Sequence, residues 1–203
     1  MPSQRTEIPL GMMQQKTRSP FVSSQSLTNC FYETMQPAGG AVYGNFGLDT
    51  FATCGSGPIR GLHDFNGVLL AVSGDTLYSV TSAGVATSIG AVAGYDPVII
   101  DNNGTHAAIV SDSTSYIYTS PTITAINDAD FLPASSVAFL KQVLIYTKRD
   151  SGVLFTSNLA DAVNYDALDV TTAEAKPDKN RRGLVSGNEA LGFGEKSVEG
   201  YYF

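Results

Sequence analysis

His63 and His106 are the only histidines of the 203-residue chain, so any mechanism that needs an imidazole base must use one of them. His63 stands beside Asp64 in "GLHDFNG", but neighbours on an extended strand point to opposite faces and do not form a base–carboxylate pair. His106 opens the apolar run of "NGTHAAIV" with no acid at hairpin spacing. Both read as polar residues at strand ends. Asp75, Asp112 and Asp150 recur at polar turns between apolar runs. Two such carboxylates could flank a glycosidic bond as acid and base, but their common position in each repeat fits turn chemistry better, a carboxylate bonding its own backbone two residues on. Serine is frequent, yet no Gly-x-Ser-x-Gly elbow is present. "CGSGPIRG" at 54–61 is the nearest approach to a phosphate loop and lacks both the lysine and the following helix. It is expected to form a turn in which Gly55 and Gly57 take positive φ and Pro58 sets the exit. Cys30 and Cys54 have no Cys or His neighbour at metal spacing and read as two reduced, packed thiols. No catalytic set, metal site or cofactor is expected.

Charge narrows the classes further. The net charge is −7, with 12 Lys and Arg against 19 Asp and Glu, which argues against wrapping nucleic acid through phosphate contacts. An acidic wall still lets a polyanion pass without sticking. The basic cluster is "KPDKNRRG" at 176–183, with Lys176, Lys179, Arg181 and Arg182. It reads as a solvated loop, or as a contact with an acidic partner or with passing DNA. The apolar runs, such as 68–72 and 98–100, fall far short of the roughly 20 residues of a membrane-spanning helix, and no secretory leader is expected. "NGT" at 103–105 is then a formal glycosylation acceptor with no export to use it.

The elements that must position these residues are strands. Residues 1–30 carry Pro, Gln, Ser and Thr without a period of 2 or 3.6 and read as an extended N-terminal arm, either a frayed end or an arm laid on a neighbouring subunit. Residues 31–203 form the second domain. Four stretches in it share one form: "NGVLLAVSGDTLYSV", "NGTHAAIVSDSTSYIYTS", "LKQVLIYTKRDSGVLFTS" and "GNEALGFGEKSVEGYYF". Each is a polar turn, an apolar run, a tight turn and a second run, as in a hairpin. With Gly74, Asp112, Asp150 and Glu195 as turn centres, the intervals are 38, 38 and 45 residues, against the roughly 40–50 of propeller blades. In 68–72, 107–110 and 143–146 both faces are apolar, so each strand must be covered on two sides. "TTAEA" at 171–175, with Thr171 and Glu174 as a capping box ahead of Pro177, offers at most one helical turn. The fold class is all-β and β-propeller-like, a partial ring of about four blade-like repeats.

Three stretches, "GPIRGLHDFNGVLLAVSGDTLYSV", "GYDPVIIDNNGTHAAIVSD" and "SNLADAVNYDALDVTTAEAKPDKNRRGLVSGNEALGFGEKSVE", resemble the phage packaged-DNA stabilisation proteins, tail hub or head-closure factors of short-tailed phages. "NCFYE" at 29–33 opens the similarity, and no general folding rule demands the last stretch. The resemblance implies a β-propeller-like hub in a hexameric ring, below the portal and its adaptor ring and above the tail tip or needle. It also implies a virion component assembled in the host cytoplasm, without enzymatic activity, membrane or cofactor, that retains packaged DNA and continues the ejection conduit. Gly61, Gly74, Gly194 and Glu199 match turn and register positions, and Asp161, Tyr165, Asp166 and Glu174 fall in the specific loop region. Relatives carry a Pro-Gly turn where this chain has "NFGLDTF", and they are much longer, which implies further blades and an open arc here. Outside the resemblance, the alternatives are a host-surface carbohydrate-binding or hydrolysing propeller and an intracellular scaffold.

Overall fold

The computed structural model describes residues 29–34, 40–112, 114–172 and 178–202. The arm expected over 1–30 therefore lies outside the described residues except for its last two, as do Lys176, Glu174 and Phe203. The chain divides into two compact units, Met1–Thr50 and Phe51–Phe203. In the first, β1 (Cys30–Thr34) and β2 (Gly40–Gly44) pair antiparallel, with Phe31 stacked on Tyr43.

The second unit is a run of antiparallel meanders. Blade 1 is β3 (Ile59–Phe65), β4 (Val68–Ser73), β5 (Thr76–Val80) and β6 (Ala86–Ala91). Blade 2 is β7 (Ile99–Asn102), β8 (Ala107–Val110), β9 (Ser115–Thr119) and β10 (Thr122–Ala125). Blade 3 is β11 (Ala134–Leu140), β12 (Val143–Lys148), β13 (Val153–Ser157) and β14 (Tyr165–Thr172). Blade 4 has three described strands, β15 (Asn180–Ser186), β16 (Glu189–Gly194) and β17 (Val198–Tyr201). Each repeat read from the sequence is the hairpin of its blade's second and third strands. Turn chemistry sets the registers: Asn66 and Gly67, at φ 54° and 79°, join β3 to β4 in the left-handed pair that matches strand twist. No helix occurs among the described residues, and Thr171 is not a helix cap. It pairs with Leu154 as part of β14, because strand partners outcompete a single helical turn.

The two-sided apolar pattern has the expected cause. Ala107 and Ile109 of β8 pack toward blade 1 with Phe65, Leu70, Val72 and Leu77, whereas Ala108 and Val110 pack toward blade 3 with Val137, Leu144 and Tyr146. Between blades 3 and 4, Leu140, Ile145 and Leu154 meet Ala190, Val185 and Tyr201. Every seam is thus a strip of alternating residues from two sheets. The far face of blade 4 carries Leu184 and Val198, both exposed.

The seam between blades 2 and 3 holds a buried aromatic cluster. Phe131 meets Tyr146, Phe155 and Tyr165 edge-on, and Tyr146 stacks on Phe155 at 5.2 Å. Tyr165 donates its hydroxyl to the Ala162 carbonyl at 2.8 Å, which leaves Tyr146 to donate to Tyr165 at 3.0 Å. Burial pushes both phenols well above the usual tyrosine range. The folded state therefore favours their protonated forms, and this contribution is complete below about pH 10 and lost as pH rises through the shifted values. An alkaline ultraviolet titration should show these two tyrosines ionising only together with unfolding, a phase absent from a Tyr146→Phe/Tyr165→Phe variant. Reversible ionisation of all ten tyrosines near pH 10 in the folded protein would contradict it.

Candidate functional site

The first strands of the blades stand side by side, β3 next to β7, β7 next to β11 and β11 next to β15. Each junction is tied by a side chain. Asn102 Nδ2 lies 2.6 Å from His63 Nε2 between β7 and β3. The Phe139 amide of β11 donates to Asp101 Oδ2 of β7 at 2.7 Å. The Gly183 amide of β15 donates to Ser136 Oγ of β11 at 2.8 Å. A side chain at Gly183 would crowd this contact, because its Cβ would stand 2.8 Å from Thr147 Oγ1, to which Ser136 is hydrogen-bonded. The pairing register slips at the start of β3, β11 and β15, at 59–61, 134–136 and 180–182. A bulge there strengthens the local twist with which each blade begins.

A second set of ties runs along the rim that carries the central hairpin turns. Arg60, buried at the start of β3, donates to the carbonyls of Gly74, Val92 and Asp96 at 2.8–2.9 Å, and reaches Ser111 Oγ of blade 2 at 2.9 Å. Its guanidinium also pairs with Asp112 at 3.3 Å. At the next seam Arg149 Nη2 donates to Ser111 O of blade 2 and to Ala134 O of its own blade, at 2.9 and 3.0 Å. At the third seam, Asn180 of blade 4 donates to Ser151 O and Gly152 O of the blade 3 turn. One residue per seam thus supplies donors to carbonyls along this rim, Arg60 and Arg149 through their guanidinium groups and Asn180 through its backbone amide and Nδ2. None of the three was singled out in the sequence.

The turn acids are where the repeat put them, but their work differs from the expectation. Asp112 does not bond two residues on. Its carboxylate accepts from the Tyr95 amide, Ser111 Oγ and Arg60 across the seam. Burial opposes its charge, but the Ser111 hydroxyl, the backbone amides and Arg60 outweigh burial and hold the carboxyl below the usual range. Asp150 pairs with Lys179 at 3.5 Å, and Asp75 accepts from Thr76 Oγ1. The i+2 pattern occurs instead at Asp128, Asp161 and Asp166.

Gly55 has the expected positive φ, 59°, whereas Gly57 does not. Gly57 is needed for close approach, since a Cβ there would meet Gly74 Cα at 2.5 Å. The cleft of about 570 Å³ between Gly55, Gly57, Tyr78 and Tyr95 has Arg60 on its wall, with the guanidinium already engaged by carbonyls and Asp112.

In the basic cluster, Lys179 pairs with Asp150 and Arg181 with Glu195, while Arg182 is exposed on β15. Asp178, just ahead of β15, accepts from the Lys196 and Ser197 amides, which hold its carboxyl below the usual range against burial. Two of the cluster's three described cations are therefore met by carboxylates on hairpin turns, Lys179 by Asp150 of blade 3 and Arg181 by Glu195 of its own blade. His106 Nδ1 is buried without a hydrogen-bond partner among the described residues.

The motif residues serve the frame. Tyr165 plugs the core, and Asp161 caps the loop before it, accepting from Asn164 Nδ2 and the Val163 amide. Those two bonds, in that order, lower its pKa against burial, with His106 adding to them. Asp166 Oδ1 accepts from the Leu168 amide. Gly61 faces Val98 O, and Gly74 turns at φ 56°. Gly194 abuts the Asp178 carboxylate, and Glu199 takes the Tyr201 hydroxyl.

Solved structures agree with the fold. The computationally designed Ika4 protein superposes with a TM-score of 0.56 at 10% identity, over 76% of this chain and 98% of its own. Hsv2 of Kluyveromyces lactis gives 0.53 at 6% identity, over 88% of this chain and 63% of that one, so the chain spans under two thirds of Hsv2. No curated protein matches the sequence. A family model described as bacteriophage P22 Gp10, beta-propeller, matches residues 6–202. Because that match runs through every meander and through the motif loop between β13 and β14, the chain belongs to the P22 Gp10 β-propeller family of phage stabilisation proteins.

Proposed function

We propose that this chain is a non-enzymatic section of the tail of a short-tailed phage, a hub or nozzle that retains the packaged genome and forms part of its ejection channel. Family membership makes it a phage structural protein concerned with DNA stabilisation, and hence a virion component. The finer reading rests on one observation, the row of first strands tied neighbour to neighbour by His63, Asp101 and Ser136. Such a row is a stiff wall, and stiffness against a pressurised polymer is a mechanical task that needs no reactive group. The net charge of −7 fits a conduit, because it disfavours adhesion of a polyanion passing close by.

In this reading the chain acts in a hexameric ring. The portal adaptor ring lies above it and a tail-tip or needle protein below, and subunits join the virion in the host cytoplasm. DNA passes near the wall without base contacts. Lys176, Lys179, Arg181 and Arg182 are the candidate contacts to a neighbouring protein or the DNA, and of these Lys179 and Arg181 would first exchange their present partners Asp150 and Glu195. Phage particles made without the protein should package normally and then leak, giving heads that lose their genome during purification. Particles that keep their DNA without it would refute this role, as would glycan turnover by the purified chain.

A further inference from the structure

From the end of β13 into β14 the chain turns apolar side chains into solvent where the core does not require it. Leu159, Val163, Leu168 and Val170 are 72%, 53%, 85% and 46% exposed. The segment is rigidly built. Asp161 ties Val163 and Asn164, the Ala160 amide is bonded to Gln142 O, and Tyr165 and Ala162 anchor it in the aromatic core. Ser157 then pairs with Tyr165 while Phe155 pairs with Val170, so residues 166–169 face only Thr156 and stand off the blade's outer edge. Edge bulges with charges protect a sheet from unwanted pairing. That accounts for Asp166 and Asp169. It does not account for a leucine between them, held outward by the bond from its own amide to Asp166.

The surroundings specify what would cover it. Asp130, Asp166 and Asp169 are exposed, Asp128 and Asp161 are half-buried beside the same segment, and residues 159–170 themselves carry no Lys or Arg, with Lys141 standing next to the Gln142 that holds Ala160. Nucleic acid and an anionic membrane surface are repelled by such a rim. We propose that residues 159–170 are a docking surface for a separate protein whose contact segment sets an apolar side chain among lysines or arginines. Leu168 and Val163 supply the dry centre and the aspartates the complementary rim, and the pre-ordered loop lowers the entropy lost on binding. This surface is argued from blade 3 alone and does not depend on the hub reading.

Photo-crosslinking in infected cells tests it. Benzoylphenylalanine at position 168 or 163 should join the full chain to one other protein, at a peptide with Lys or Arg flanking the apolar contact. The same probe at Ser88, exposed on β6, should not. Asp166→Asn with Asp169→Asn should lower the yield about tenfold, as expected for removing rim charges from a complementary contact. Leu168→Ser, which leaves both carboxylates, should lower the yield from position 163. Each variant is compared at an unchanged unfolding midpoint. No product from either site, products with DNA or with a second copy of this chain, or yields indifferent to these substitutions would overturn the proposal.

Discussion

Arg60→Ala is expected to lower the unfolding free energy by about 3–5 kcal/mol, the loss typical of removing one partner of a buried ion pair. The Arg60 side chain is 3% exposed and that of Asp112 24% exposed. Truncation leaves the Gly74, Val92 and Asp96 carbonyls without their donor and the Asp112 carboxylate without its cation. An acceptor left unmet in a buried site, as at Val92, carries its full desolvation penalty, which is why the loss exceeds that of an ordinary hydrogen bond. Arg60→Lys should recover little, since a single ammonium cannot reach the Gly74, Val92 and Asp96 carbonyls together with the Ser111 and Asp112 oxygens of blade 2. Urea unfolding measures the loss, and hydrogen exchange should place it in blade 1 amides first, because repeats depend mainly on their nearest neighbours. The same pair has a pH signature. The Asp112 carboxyl is held below its ordinary value, so its contribution is present above about pH 4 and is lost as pH falls through the lowered folded value. The Ser111 hydroxyl and the backbone amides lower that value more than Arg60 does, so Arg60→Ala should flatten the acid limb only in part. A loss under about 1 kcal/mol, typical of surface ion pairs, would show that Arg60 does not hold the seam.

The strands were legible and the seams were not, for a physical reason. A hairpin is a local object. Its turn residues and the alternation of Val68, Leu70 and Val72 lie within a few positions, and two-sided apolarity at 107–110 already demanded neighbours on both faces. Arg60 reaches Asp112 across 52 positions, Asp101 reaches Phe139 across 38, and Ser136 reaches Gly183 across 47. Nothing in the intervening sequence marks such pairs. One signal was available: an arginine as the second residue of a first strand, in "PIRGL", where the strand's own pattern calls for an apolar or turn residue. A cation at a position that must be buried implies a dense set of acceptors. Similarly, "KPDKNRRG" looked like free positive charge because the partners of Lys179 and Arg181 sit at Asp150 and Glu195, on turns of adjacent hairpins.

Tyr146→Ala should be comparably damaging through a different route. Tyr146 is fully buried, stacked on Phe155 at 5.2 Å and edge-on to Phe131 at 5.2 Å and Tyr165 at 5.7 Å. Truncating a buried aromatic costs about 3–5 kcal/mol, from lost transfer energy and from the cavity that rigid neighbours cannot fill. Here the neighbours are fixed from both sides, since Val137 and Leu144 belong to blade 3 while Ala108 and Val110 belong to blade 2. Collapse onto the void would pull the blades together and strain the Phe139 to Asp101 tie. Tyr146→Phe isolates the hydroxyl. It keeps the ring and removes only the donor to Tyr165, so about 1 kcal/mol is expected. Tyr165 still donates to Ala162 O, which keeps the motif loop in place. Urea midpoints of the two variants, at unchanged slope, give the ring and hydroxyl contributions separately. If Tyr146→Ala cost no more than Tyr146→Phe, the seam between blades 2 and 3 would be soft enough to close over a missing ring, and the wall built on it would not be stiff.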